Sequence, residues 1–381
     1  MRDVIVVGAG PAGTLAARSL AEKGFEVMVL EDHETSGTPQ HCTGLISEET
    51  LAMSRVKPDI LSKINAAEFI FPNGQSITLR SKDVMSVMVD RIDLDMKMAE
   101  AAEDAGAELS YSEAYVTHTS SEIVEVETTA RMHRAKALIG ADGASSKVAM
   151  ALGDNYPKEY IRGIQADVKY TMDEQDTFKV YLGNNIAPGF FAWAVPAGPF
   201  TRIGLCTSWS AGAPSKYLTD LLIRVGLEDN VIQVYSGKIP LGVRPILSAD
   251  RCLLTGDAAG FVKPLSGGGL FPTFKANEIL VETMSAGLDS DNLYSRDLAG
   301  YDRRIKDGIG KELNRAYSLR KKFKNMSDPD FNKIYDYIKK NDLEPSLSEL
   351  NIDHPGDLIK NILHKPKAVM AAIPIYLRSI R

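Results

Sequence analysis

Cysteine is scarce in this chain: three residues in 381, Cys42, Cys206 and Cys252. The number is odd, and no pair stands at CxxC or another metal-ligand spacing. A disulfide framework and a thiolate zinc site are excluded, no metal is expected, and a reducing compartment is implied. Long apolar runs are missing too. None approaches the roughly 18 residues that cross a bilayer, and the run at residues 4–7 is too short for a signal peptide. The expected location is the cytoplasm. Basic charge is not in excess either: 44 Lys and Arg against 50 Asp and Glu leave a formal net charge of -6. A nucleic-acid partner, which calls for a strongly basic face, is not expected. The chain has no internal repeat and no low-complexity tract.

What is present is an ordinary globular composition, 44% hydrophobic and 25% charged, on a chain long enough to bury a large core. An apolar strand at residues 4–7, helical spacing over 11–23 and a second strand at 26–30 form a βαβ unit. A turn-rich loop follows at 36–44. Strands flanking Asn73-Gly74 within 69–79 predict a hairpin. A helix is predicted over 91–105, with strands at 108–111 and 123–127. Residues 160–240 change character: strands at 178–182, 190–195 and 201–207 dominate, with one helix over 216–225, as in a mainly antiparallel sheet. The βα character returns from Arg251. From about Tyr301 the chain reads as helical and basic, ending in a tail, 364–381, that mixes basic and apolar residues around Pro366 and Pro374.

The chemistry begins at Gly8-Ala9-Gly10-Pro11-Ala12-Gly13, which leaves a strand and opens a helix. Gly8 permits the tight turn, Gly10 lets the backbone approach a pyrophosphate, and Gly13 lets helix and strand pack closely, with Pro11 suited to the first helical turn. Glu31 ends the second strand 18 residues after Gly13, placed to bond ribose hydroxyls. A dinucleotide is expected here, and this motif by itself leaves FAD and NAD open. A second site lies far along the chain: a strand delivers Gly256-Asp257, and Pro264-Leu265-Ser266-Gly267-Gly268-Gly269-Leu270 leads into a helix. A third segment is Gly140-Ala141-Asp142-Gly143-Ala144-Ser145-Ser146-Lys147.

With these three elements the chain resembles the FAD-dependent family that contains aromatic hydroxylases, flavin halogenases and geranylgeranyl reductases, over about residues 1–300. The resemblance implies FAD as cofactor. Asp257 then bonds the ribitol chain, and the turn from Pro264 to Leu270 lies against the pyrimidine end of the flavin, where a helix dipole stabilises negative charge. Arg91 matches the family arginine near the FAD phosphates. Position 149 is Ala where the family often has Arg.

Two segments resemble the geranylgeranyl reductase branch. His41-Cys42-Thr43-Gly44-Leu45 stands where those reductases carry a cysteine followed by small residues beside the flavin, which implies cofactor contact for Cys42, Thr43 and Gly44 and a catalytic role for Cys42. The segment from Pro188 to Pro196 is similar to the branch's aromatic strand and implies substrate contact for Phe190, Phe191, Trp193 and Pro196. Cys206 and Cys252 lie within strand runs and read as packed. The resemblance implies saturation of C=C bonds in geranylgeranyl chains of archaeal membrane phospholipid precursors. A monooxygenase or halogenase, a polyprenyl-quinone reductase and an FAD electron carrier stay open as alternatives. The electron donor is expected to be NADPH or ferredoxin, and the basic tail suggests peripheral membrane contact.

The expected fold class is α/β: a Rossmann-like FAD-binding domain discontinuous in sequence (1–65, 85–155 and 245–300), an inserted, mainly antiparallel substrate sheet (66–84 and 156–244), and a helical C-terminal region (301–381).

Overall fold

The computed structural model describes residues 1–348; the basic, apolar tail at 364–381 lies outside them. Val4, Ile5, Val6 and Val7 are all buried, as a strand covered on both faces requires. Their strand, Arg2–Val7, pairs in parallel with Val27–Leu30 on one side and Met132–Gly140 on the other. Glu108–Ser110 and Cys252–Leu254 extend the sheet outward, also in parallel. Chain order therefore reverses at the first strand, and a crevice opens at the carboxyl ends of the strands flanking it. Helix Pro11–Ala21 packs between this sheet and helix Leu270–Asp289.

A second sheet of seven strands runs Val231–Leu241, Glu159–Val168, Phe200–Ser208, Ala192–Ala197, Thr177–Tyr181, Ala66–Ile70, Ser76–Arg80. Only the pairing of Thr177–Tyr181 with Ala66–Ile70 is parallel. Strand alternation gives it two different faces. Ile164, Ala166, Ala192, Ala194, Ile203 and Leu205 point backward onto Leu218, Leu221 and Leu222 of helix Pro214–Val225. Those leucines recur at helical spacing, so one stripe covers one sheet face. The other face turns toward the crevice. A three-stranded sheet (Leu45–Ile46, Ile60–Ile64, Ser86–Val89) lies beside it, and helices Ser295–Asp307, Ile309–Lys324 and Asp328–Lys340 follow.

The α/β class, the inserted sheet and the helical end are as expected. Three strands central to the architecture, Met132–Gly140, Glu159–Val168 and Val231–Leu241, carry no sharp sequence signal. The strand expected over 190–195 begins two residues later, at Ala192. Gly189 turns the chain first, at φ 75°, where a Cβ would lie 2.0 Å from Ser208 Oγ. Phe190 and Phe191 are thereby left on the approach to the strand. The first helix stops at Ala21, two residues short of the expected end.

Candidate active site

Gly8 leaves the first strand at φ 103°, and a Cβ there would lie 2.5 Å from the carbonyl oxygen of Ala141. A Cβ at Gly13 would lie 1.9 Å from Gly8 O, so the helix can start this close to the strand only without a side chain. Gly10 is different: among the described residues nothing lies within 4 Å of its missing Cβ, and that side of the turn is open to a ligand. Glu31 accepts a hydrogen bond from the Ala9 N–H at 2.7 Å, and its other oxygen meets the His33 backbone N–H at 3.1 Å. Burial first, then Asp32, raises its pKa, and the backbone donors work against that. The cradle at Gly10, with an acid at the end of the next strand, fits the pyrophosphate and ribose of a dinucleotide.

The second glycine motif closes on the first. A Cβ at Gly256 would lie 2.7 Å from the Ala12 side chain, and one at Gly269 would lie 2.9 Å from Asp257 Oδ1. Lys263 accepts from the Gly267 N–H at 2.8 Å and donates to Gly268 O at 3.0 Å, which folds Pro264, Gly267, Gly268 and Gly269 into a tight turn before Leu270 starts its helix. Asp257 sits in the crevice between these segments, and its carboxylate accepts no hydrogen bond among the described residues. Burial pushes its pKa up to about 6, opposed by the positive charges of Arg91 and Arg244. A carboxylate lacking donors, beside an open glycine turn, fits the hydroxyls of a ribitol chain.

Arg91, expected near phosphates, is buried and held by Asp95 in a two-pronged pair at 3.0 Å and 3.0 Å. Burial alone would depress its pKa; Asp95 and then Cys42 more than offset it. Asp142, from the third segment, is also occupied: it accepts from Ser146 Oγ at 2.5 Å and from the Lys147 N–H at 2.7 Å, ahead of helix Lys147–Ala151.

The cysteine loop joins the two sheets. Thr43 Oγ1 donates to Gln165 Oε1 at 2.8 Å, Arg202 donates to the Thr43 carbonyl at 2.7 Å, and His41 Nδ1 meets the Ser236 carbonyl at 3.1 Å. Arg202 is locked in turn by Asp167, at 2.6 and 2.9 Å, with both residues buried. Tyr235 donates to Asp167 at 3.0 Å; burial and then that carboxylate push the phenol up to about 12. Gly44, at φ 95°, brings the loop against Val89 O and the Arg91 side chain. Cys42 itself is exposed.

Beyond the loop, the crevice face of the seven-stranded sheet carries three glycines along its middle, Gly163, Gly204 and Gly237. Cross-strand register lines up Trp193, Gly204, Gln165 and Tyr235 in one row, and Cys206, Gly163 and Gly237 in the next. A Cβ at Gly204 would lie 2.6 Å from both the Trp193 ring and Gln165 Cβ. The result is a glycine-floored trough with aromatic walls: Phe190 and Phe191 stack at 4.6 Å, and Phe191 meets Trp193 edge-on at 6.1 Å. The trough reaches the second glycine turn, because a Cβ at Gly267 would lie 3.8 Å from Phe190. Two buried polar atoms in it, Gln165 Nε2 and Trp193 Nε1, have no partner among the described residues. Pro196 does not join this group. Its parity places it on the opposite face from Phe191 and Trp193, and its carbonyl accepts from Ser62 Oγ at 2.6 Å. Phe190 is itself fully buried, so it backs the wall that Phe191 and Trp193 present. Sequence reasoning missed Gln165, Asp167, Arg202, Tyr235 and the three floor glycines. Isolated polar residues in strands carry no motif, and single glycines in separate strands show no spacing.

Comparison with known proteins bears on this arrangement. Residues 1–219 match the family model described as an FAD binding domain. The digeranylgeranylglycerophospholipid reductase of Methanothrix thermoacetophila is 30% identical over 368 residues, which cover 90% of this chain and 92% of that protein. Among solved structures, a geranylgeranyl bacteriochlorophyll reductase-like protein from Thermoplasma acidophilum superposes with a TM-score of 0.85 at 22% identity, covering 98% of this chain and 99% of the other. The halogenase PltM, in complex with phloroglucinol and FAD, superposes with a TM-score of 0.70 at 16% identity, over 94% of this chain and 86% of the other. These last two matches show a shared fold. The first two, spanning more than half the chain and nearly all of a relative, show kinship: this chain belongs to the FAD-binding digeranylgeranylglycerophospholipid reductase family.

Proposed function

We propose that this protein saturates isolated C=C bonds in geranylgeranyl chains of a phospholipid. The observation that carries the reading is the glycine-floored, aromatic-walled trough that runs to the turn where the flavin end of FAD would lie. A floor without side chains accepts an extended branched chain lengthwise, and apolar walls exclude water from it. The relatives named as reductases of such lipids support it.

When bound, FAD supplies hydride chemistry. Gly8, Gly10, Ala12, Gly13 and Glu31 would hold its phosphates and the ribose nearest them, and Gly256, Asp257 and the turn from Pro264 to Leu270 its ribitol and ring. Phe191 and Trp193 would orient the alkene. Cys42, on a loop fastened to both sheets and touching Arg91, is the group we assign beside the reacting carbons. An isolated alkene is a poor electrophile, so proton delivery must accompany hydride addition. The division into an FAD-binding unit, a substrate sheet and a helical end belongs to the same proposal, as do NADPH or ferredoxin as donor and peripheral contact with the membrane. No described helix is long and apolar enough to cross a bilayer.

The test is anaerobic. The bound flavin is reduced with dithionite, excess reductant is removed, and a geranylgeranyl phospholipid is added while flavin absorbance and lipid mass are followed. Reoxidation with a gain of two hydrogens per double bond is expected. A flavin that stays reduced until oxygen enters would overturn the reading and favour a monooxygenase or halogenase.

A further inference from the structure

Residues 182–191 join strand Thr177–Tyr181 to strand Ala192–Ala197 and end in the two phenylalanines of the trough wall. The segment is irregular and turns at Gly183 (φ 119°) and Gly189 (φ 75°). The seven-stranded sheet holds it by the Leu182 N–H to Ile70 O at 2.9 Å, the Ser208 N–H to Pro188 O at 2.9 Å and the Cys206 N–H to Phe191 O at 3.2 Å. Its other anchors come from two helices that follow the glycine motifs in the chain.

Asp328 opens helix Asp328–Lys340, and both of its carboxylate oxygens turn to the segment: Oδ1 accepts from the Asn184 N–H at 2.6 Å and Oδ2 from Asn185 Nδ2 at 3.0 Å. The Asn184 side chain then spans two elements, donating to the Met326 carbonyl at 2.7 Å and accepting from the Gly189 N–H at 3.3 Å. The Gly189 carbonyl accepts from Arg320. Tyr317, Arg320 and Lys324 recur three and four residues apart, so helix Ile309–Lys324 turns one stripe to this place. Tyr317 shares an apolar cluster with Phe190, the Arg320 guanidinium lies 5.0 Å from the Phe190 ring centre, and Lys324 lies against Gly189.

Arg320 is 0% exposed, and a buried guanidinium has lost its hydration, which only hydrogen-bonding partners can replace. Those partners are the Gly189 carbonyl and Glu159 Oε1, the latter at 3.3 Å. Glu159 is the first residue of strand Glu159–Val168, which carries the floor glycine Gly163. Arg320 thus ties the turn before the wall to the strand beneath the floor, from outside the sheet. Charge-assisted bonds of this kind are strong and directional, so they fix a geometry as well as a contact.

From this we infer that Arg320 and Asp328 are positioning residues for the substrate trough. One holds the segment at residues 184 and 185, the other at residue 189, and between them they fix where Phe190 and Phe191 stand beside Trp193. The helical end of the chain thereby sets the fit of the trough around a hydrocarbon chain. That the chain is a geranylgeranyl group rests on the alkene-reductase reading; the placing of the wall does not.

The experiment uses the FAD-loaded full chain labelled with 5-fluorotryptophan in a Trp209→Phe background, where Trp193 gives the single fluorine resonance. Phe191 meets Trp193 edge-on, so a displaced wall changes the field at that ring. Asp328→Ala should move the resonance before any lipid is added. So should Arg320→Lys, which keeps the charge but lacks the planar fork that reaches Gly189 and Glu159 together. With dithionite as electron source, both variants should raise KM for a geranylgeranyl phospholipid at least fivefold and leave kcat within twofold. Asp328→Asn, which keeps one acceptor oxygen, should fall between Asp328→Ala and the parent. A resonance or a KM that stays at the parent value in both variants would overturn the inference. A lower kcat at unchanged KM, the mark of a smaller folded fraction, would overturn it as well. A parent protein that does not reduce the lipid would overturn the functional reading instead, and the resonance, read without lipid, then decides the positioning.

Discussion

Asp257 is a carboxylate held in the crevice without a hydrogen-bond donor, and its titration follows from that. Its pKa rises from the ordinary 3.8 to about 6, so between those values the folded, FAD-free protein keeps a proton that the unfolded chain has lost. The stability it contributes is full below about pH 4 and is lost as pH rises through about 6. Asp257→Asn should therefore stabilise the FAD-free protein at pH 8 by roughly 3 kcal/mol, with no gain at pH 3.5, and should weaken FAD retention. Thermal melts at the two pH values, with flavin content alongside, check this; a gain independent of pH would rule out burial of the charge as its cause. At Cys42 the expectation runs the other way. The residue is exposed, and Arg91, which it touches, is held by Asp95 as well, so Cys42→Ala should leave FAD content and melting temperature unchanged and lower the rate of lipid-dependent flavin reoxidation by at least tenfold. An unchanged rate would remove Cys42 from the chemistry.

Elements set the shape into which these residues work. The trough exists because Gly163, Gly204 and Gly237 fall on one face of three adjacent strands, in register. Gly204→Val would put carbon where Trp193 and Gln165 already stand at 2.6 Å from the missing Cβ. Overpacking of this kind costs about 1–3 kcal/mol. The residues proposed to hold FAD belong to the other sheet, so flavin should stay bound while turnover of the lipid is lost; flavin absorbance and product mass read the two effects separately. Elements near strong local signals were legible: the βαβ unit, the Asn73-Gly74 hairpin and the helix after Asp90, whose side chain accepts from the N–H groups of Ile92 and Asp93. Glu159–Val168 was not. It alternates little in polarity, because its crevice face carries Gly163, Gln165 and Asp167, which answer to partners far away in the chain.

At the scale of the whole molecule, a buried cation helps to join the two sheets at the site. Arg202, on the seven-stranded sheet, binds Asp167 beside it and the Thr43 carbonyl on the loop that follows the parallel sheet. Removing one partner of a buried pair leaves the other charge uncompensated, at a cost of about 3–5 kcal/mol. Arg202→Ala should lower the unfolding free energy by that order and also loosen FAD, although Arg202 belongs to the sheet without the glycine turn. Denaturant unfolding and FAD titration together test the coupling; destabilisation with unchanged FAD affinity would show that the loop is held by other contacts.

The sequence by itself determined the cofactor fold. A strand, GxGxxG and helix, an acid at the end of the next strand, and Gly256-Asp257 before a second glycine turn are local patterns, each dictated by backbone conformation within a few residues. It also marked the cysteine loop and the aromatic approach at 190–193. Only the tertiary structure decided how these meet. It seated Arg91 on Asp95, turned Pro196 away from the trough, and aligned single glycines from three strands into a floor. It also tied the cysteine loop to Arg202 of the seven-stranded sheet. Register and long-range packing bring such residues together, and neither leaves a periodic trace along the chain.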